Sequence, residues 1–162
     1  MDRCSPTKQL SGSGVRSEVP RHPALLLIED SQDDADLFQR AVNVTALPLN
    51  LRVVSTCSDA REYLLGTGQF ANRTRFPFPQ LIVADDCRDE FGTPHLLRWL
   101  QEKPECQVIP LIILTGSGSP ALVRSSYDLG VHSVFEKPTT NSELRDLLKL
   151  VVAYWSKALT PQ

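Results

Sequence analysis

Five short, strand-like runs, each followed by a segment of helical character, constrain this chain of 162 residues more than any other feature. They are "ALLLIE", "LNLRVV", "QLIVAD", "VIPLIILT" and "HSVFE". The first is a short continuous apolar run, as a strand buried on both faces requires. Between the runs lie helix patterns with their own start and stop chemistry. "DSQDDADLFQRAVN" has Ser31 placed as N-cap, acids in its first turn, and Leu37, Phe38, Ala41 and Val42 on one face. "SDAREYLLG" is closed by Gly66, "PHLLRWLQE" is opened by Pro94, and "SPALVRSSYDLG" is stopped by Gly130. The last, "TNSELRDLLKLVVAYWSKAL", offers Thr140 or Asn141 as cap, with Glu143 near the capping-box position. Five strands alternating with five helices predict an α/β domain with a doubly wound parallel sheet. In such folds ligands sit beyond the carboxyl ends of the strands, where strand order reverses.

The boundaries follow from pattern. Residues 1–23 are rich in Ser, Gly, Pro and charge, have no apolar period, and are expected to form a mobile extension. Residues 24–159 form the domain and 160–162 a short tail. The segment "GTGQFANRTRFPFP" is a long loop for a compact domain of this class. Seventeen basic and nineteen acidic residues leave a net charge of −2, which gives no electrostatic footprint for nucleic acid. Cys4, Cys57, Cys87 and Cys106 contain no CxxC pair, which argues against structural zinc or a disulfide framework and fits a reducing cytoplasm. No apolar run approaches the ~20 residues of a membrane span, and no signal-peptide core is expected.

The carboxyl edge of the predicted sheet collects chemistry. The first strand ends in Glu29-Asp30, the third in Asp85-Asp86, the fourth in Thr115-Gly116-Ser117, and the fifth runs into Glu136-Lys137-Pro138. Taken singly, acids at strand ends are more often solvated loop residues or caps, Thr115 a turn residue, and Lys137 a surface charge. Taken together they supply hard oxygen donors for Mg²⁺ and a lysine and hydroxyl for a phosphoryl group. A carboxylate in that setting can serve as nucleophile. A competing pattern is "GSGSPA" (116–121), which fits G-x-G-x-x-A after a strand with Glu136 about 20 residues on, as in dinucleotide-binding domains. Its position after three strand–helix units counts against it, because that fingerprint normally opens the sheet.

From about Ala24 to Trp155 the chain resembles the receiver domain of two-component response regulators. The resemblance is carried by "LLLIEDSQDDADLFQRAV", "PQLIVAD", "IPLIILTGS" and "FEKP". The long loop and the ending "AYW" are similar to the single-domain regulators that serve phytochrome-type histidine kinases. The resemblance implies a flavodoxin-like sheet of order 2-1-3-4-5. It implies Asp85 as phosphoacceptor, with Glu29, Asp30, Asp85 and the backbone carbonyl of Cys87 holding Mg²⁺ or Mn²⁺. Thr115 would close on the phosphoryl group and Lys137 pair with its oxygens. The Lys137–Pro138 bond becomes a candidate cis peptide. The implied donor is a histidine kinase or histidine phosphotransfer protein, and the chain catalyses only its own phosphorylation and dephosphorylation.

Three features depart from the family or extend it. Gly92 follows the acceptor after seven residues rather than eight, Asp89 stands where a proline is usual, and Asp86, Asp89 and Glu90 add negative charge. A receiver that binds partners without being phosphorylated is the alternative this loop supports. The family's aromatic switch falls on Val134, and alternation points neighbouring Phe135 to the other face of the sheet. The chain ends soon after the last helix, so its signal is expected to pass by docking or self-association. Apolar residues cover about 200° of that helix, more than packing on a sheet requires. Leu147, Leu150, Tyr154 and Trp155 are the candidate face for a homodimer.

Overall fold

The strand β1 (Ala24–Ile28) is buried along its whole length, because it has strands on both edges and helices on both faces. In the computed structural model, which describes residues 22–85, 92–116 and 118–157, β1 lies between β2 (Asn50–Val54) and β3 (Leu81–Ala84). The strands β4 (Leu111–Thr115) and β5 (Ser133–Glu136) complete a parallel sheet of order β2-β1-β3-β4-β5. This is the flavodoxin-like order expected. β1, β3 and β4 are buried throughout, whereas the edge strands β2 and β5 are partly open to solvent.

Alternation along the strands divides the core in two. Leu25, Leu27, Val83, Ile112 and Leu114 face α1 (Gln32–Thr45) and α6 (Asn141–Lys157), meeting Phe38, Val42, Leu144 and Leu148. Leu26, Ile28, Ile82 and Ile113 face the other way, toward α2 (Cys57–Leu65) and α3 (Gly92–Gln101). A further short helix, α4 (Pro104–Gln107), precedes β4, and α5 (Pro120–Asp128) connects β4 to β5. The described residues thus contain six α-helices where five were expected. The addition is a single turn begun by Pro104 and anchored by buried Cys106, too short to leave an apolar period in the sequence.

The caps expected for α1, α2 and α6 are present, whereas the helix expected to open at Pro94 already begins at Gly92. Ser31 Oγ accepts from the Asp34 N–H at 3.3 Å and starts α1. The choice between Thr140 and Asn141 falls to Thr140, whose Oγ1 accepts from Glu143 N–H at 3.2 Å while Glu143 Oε2 accepts from Thr140 N–H at 3.2 Å. The long loop after α2 is held by its own packing. Gly66 ends the helix in the left-handed region (φ 65°), and a Cβ there would collide with the Arg73 guanidinium. That guanidinium donates to the carbonyls of Tyr63 and Leu64 at 2.7 and 2.6 Å, capping α2 from outside. The rings of Tyr63, Phe70 and Phe76 pack together, and the Tyr63 hydroxyl donates to Pro77 O at 2.9 Å. An insertion that looked long for this class is therefore packed onto the α2–α3 side of the main core.

One expectation is corrected. The described residues contain no cis peptide bond, so Lys137–Pro138 is trans. Trans is the intrinsically favoured form even before proline, and Lys137 leaves β5 with its N–H donated to Thr115 O, continuing the strand pairing. The expected extension as far as residue 21 and the tail at 160–162 lie outside the described residues. Among the described residues no helix is long and apolar enough to cross a membrane.

Candidate functional site

The reversal of strand order falls between β1 and β3, and their register pairs Ile28 with Ala84. The next residue on each strand is an acid, so Glu29 and Asp85 emerge side by side at the carboxyl edge. Backbone bonds fix both: Glu29 N–H donates to Val54 O and Asp85 N–H to Ile28 O, each at 3.0 Å. From the far edge, Lys137 follows β5 with its N–H on Thr115 O at 2.8 Å. Its side chain reaches back across the edge to the acids.

There the Lys137 ammonium donates to three carboxylates: Glu29 Oε2 at 3.1 Å, Asp34 Oδ2 at 2.7 Å and Asp85 Oδ2 at 2.5 Å. Charge-assisted bonds of this kind are the stronger ones, and low local dielectric adds to them. The Glu29 side chain is only 5% exposed and that of Asp85 18%. Burial raises the Glu29 pKa above the ordinary carboxylate value, the Ser31 N–H opposes this, and the nearby Asp85 charge adds to it. For Lys137, burial alone would lower the pKa, but the bonds to Asp34, Asp85 and Glu29 more than offset it and hold the ammonium firmly protonated.

The structure brings Glu29, Asp85 and Lys137 into direct contact. Thr115 is buried at the end of β4 and joins them through its carbonyl. Asp30 is exposed and stands outside the three-acid group, while Asp34, which was not among the candidates, belongs to it. A signal for Asp34 exists in the sequence. It lies three residues after the Ser31 cap, and side chains in the first turn of a helix lean back toward its N-terminus, here the carboxyl edge of the sheet. Cys87, with Asp86, Asp89 and Glu90, lies outside the described residues.

The group offers one carboxylate oxygen each from Glu29, Asp34 and Asp85, all within 4.8 Å of one another. An all-oxygen donor set of this kind fits a hard divalent cation, Mg²⁺ or Mn²⁺. One ammonium among three carboxylates also leaves positive charge wanting.

No protein-family model matches the chain. Response regulator Rcp1 of Synechocystis sp. is 25% identical over 136 residues, which span 84% of this chain and 90% of Rcp1. The solved structure of RPA3017, a response regulator in red light signalling of R. palustris, superposes with a TM-score of 0.79 at 22% identity, over 86% of this chain and 99% of that one. The phosphorylated cyanobacterial phytochrome response regulator RcpA gives 0.76 at 27% identity, over 87% and 99%. The Mn²⁺-bound form of Rcp1 gives 0.73 at 24%, over 86% and 99%. The chain has the receiver fold of response regulators, and its sequence is similar to theirs.

Within this fold, Val134 packs against the α2–α3 side of the sheet and Phe135 against the α1–α6 side, as alternation requires. After β4, Gly118 lies directly against the end of the Glu136 side chain, a Cβ there standing 2.9 Å from Glu136 Oε1. In a dinucleotide site the glycine and the acid would be separated by the cofactor.

Replacing Lys137 by Met strands three carboxylates together. Allowing for solvent screening of the partly exposed site, the loss is expected to be roughly 1–3 kcal/mol without divalent cation. Urea unfolding with and without Mg²⁺ checks this: the cation should stabilise Lys137→Met more than the unmodified protein. Equal stabilisation of both would contradict the ammonium's role as the charge that neutralises the acids.

Proposed function

We propose that this receiver accepts a phosphoryl group on Asp85 from a phosphohistidine, in a reaction that requires Mg²⁺ or Mn²⁺. The observation that carries the reading is the Lys137 ammonium 2.5 Å from Asp85, beside Glu29 at the point where strand order reverses. Asp85 is the nucleophile: its carboxylate oxygen forms the new P–O bond, the P–N bond to the donor imidazole breaks, and the electron pair returns to the ring. Glu29 and Asp85 hold the cation, with Asp30 and the Cys87 carbonyl as the further ligands that the family resemblance assigns. The bound cation supplies neutralisation of charge on the transferring group. Lys137, displaced from the Asp85 oxygen it occupies, pairs with the phosphoryl oxygens, and the Thr115 hydroxyl supplies a hydrogen bond to them.

A phytochrome-type histidine kinase is the proposed donor. Support comes from RcpA, described as a phytochrome response regulator, and from RPA3017, described as acting in red light signalling. The chemistry is that of a signalling acceptor, with turnover limited to loss of its own phosphoryl group. A receiver that has abandoned phosphorylation would have little use for an intact set of acceptor, acid and lysine.

The proposed output surface is on α6. Leu150 and Tyr154 are 60% and 64% exposed, and with Phe135, His132 and Ile112 they line a groove of about 350 Å³ beside β5. Leu147 is half-buried against the core and contributes less than expected. The side chain of Trp155 lies outside the described residues. A second copy of the chain is the proposed occupant, in a symmetric dimer through this face.

Two measurements check these proposals. Incubation with Mg²⁺ and acetyl phosphate should add a phosphoryl mass increment that is lost in Asp85→Asn and kept in Asp86→Asn. The reverse pattern would move the acceptor to Asp86, and no increment in the folded protein would sink the reading. For the output surface, sedimentation should show a dimer that Leu150→Glu/Tyr154→Glu converts to monomer; a strictly monomeric parent protein at high concentration would contradict it.

A further inference from the structure

The Lys137 ammonium lies on one oxygen each of Glu29 and Asp85, the two acids proposed to hold the cation: Glu29 Oε2 and Asp85 Oδ2. The other Glu29 oxygen already accepts from Ser31 N–H at 3.0 Å. Ammonium and cation repel each other at contact distance, so a cation on these carboxylates would weaken the ammonium's hold on them. A cation on Glu29 and Asp85 would loosen two of the ammonium's three partners. The third is Asp34, and it is placed differently from the other two. It stands in the first turn of α1 rather than at a strand end, its side chain is 39% exposed, and its N–H is pinned to Ser31 Oγ.

We propose that Asp34 is a positioning residue for Lys137, retaining the ammonium beside Asp85 while a divalent cation occupies Glu29 and Asp85. The inference rests on the reading of Asp85 as a metal-assisted phosphoryl acceptor and adds a carboxylate that the family resemblance did not assign. Without Asp34, each remaining partner of Lys137 belongs to a carboxylate proposed to hold the cation, and cation binding would release the side chain toward solvent. With Asp34, the ammonium moves by a short swing and stays within reach of oxygens arriving on Asp85. The competing possibility is that Asp34 is itself a cation ligand, since its oxygen lies within the same 4.8 Å group.

A double-mutant cycle separates the two. Mn²⁺ affinity is measured from the electron paramagnetic resonance of free Mn²⁺ for the parent protein, Asp34→Asn, Lys137→Met and the double variant, with unfolding curves confirming that each folds. Lys137→Gln supplies the same arm if Lys137→Met does not fold. Asp34→Asn is expected to weaken Mn²⁺ binding about tenfold when Lys137 is present and by no more than about twofold when it is absent, the coupling typical of residues in contact. A loss as large without Lys137 as with it would make Asp34 a ligand and overturn the proposal. So would unchanged affinity in Asp34→Asn, or no Mn²⁺ binding by the parent protein. Labelling by acetyl phosphate, followed on the same four proteins, keeps the two readings apart. If the parent protein takes no label, the acceptor role of Asp85 falls, while the Mn²⁺ cycle still decides whether Asp34 positions Lys137.

Discussion

One ammonium among three carboxylates organises the carboxyl edge of this protein. Glu29, Asp34 and Asp85 would repel one another at the separations seen, and Lys137 is the charge that lets them stand together. The contact joins parts of the chain up to 108 residues apart, so it exists only once the sheet is assembled. Its geometry is delivered by strands rather than loops. Glu29 and Asp85 each follow a strand buried throughout, and Lys137 is held to the end of β4 by a backbone bond. Rigid elements of this kind hold side chains more exactly than loops do.

The same arrangement makes the site responsive. An ammonium that neutralises the acids competes with any cation that would do so, and the proposed phosphoryl group on Asp85 would change the balance again. Under the proposed chemistry Lys137 would have different best partners in each state of the site. Through its N–H it is tied to Thr115, and two residues before it Phe135 reaches the groove beneath Leu150 and Tyr154. Val134, where relatives are expected to carry an aromatic, packs on the opposite side of the sheet. Changes at the acids thus have a short covalent route through β5 to the α6 face.

Much of this was legible in the sequence because it depends on repeating pattern. The alternation of apolar runs with capped helices gave the parallel sheet, and strand ends led to Glu29, Asp85, Thr115 and Lys137. What escaped depends on single contacts. The helix α4 is one turn, too short for periodicity. The peptide at Lys137–Pro138 is trans, and no local pattern distinguishes the two forms. Asp34 sits in a run of acids, "DSQDD", in which helix-dipole preference already accounts for acidic residues, so its tie to a lysine 103 positions away left no trace of its own. The loop after α2 read as long because the bonds that shorten it, from Arg73 to the carbonyls of Tyr63 and Leu64, are tertiary.

The central claim is that Glu29 and Asp85 form a cation site which Lys137 occupies in the cation's absence. A crystal structure with Mn²⁺ tests it most directly, through the anomalous difference map. The account predicts a manganese peak within bonding distance of both carboxylates, with the Lys137 ammonium withdrawn from each. A peak bound elsewhere, or manganese on Asp85 with Lys137 still on Glu29 and Asp85, would contradict it.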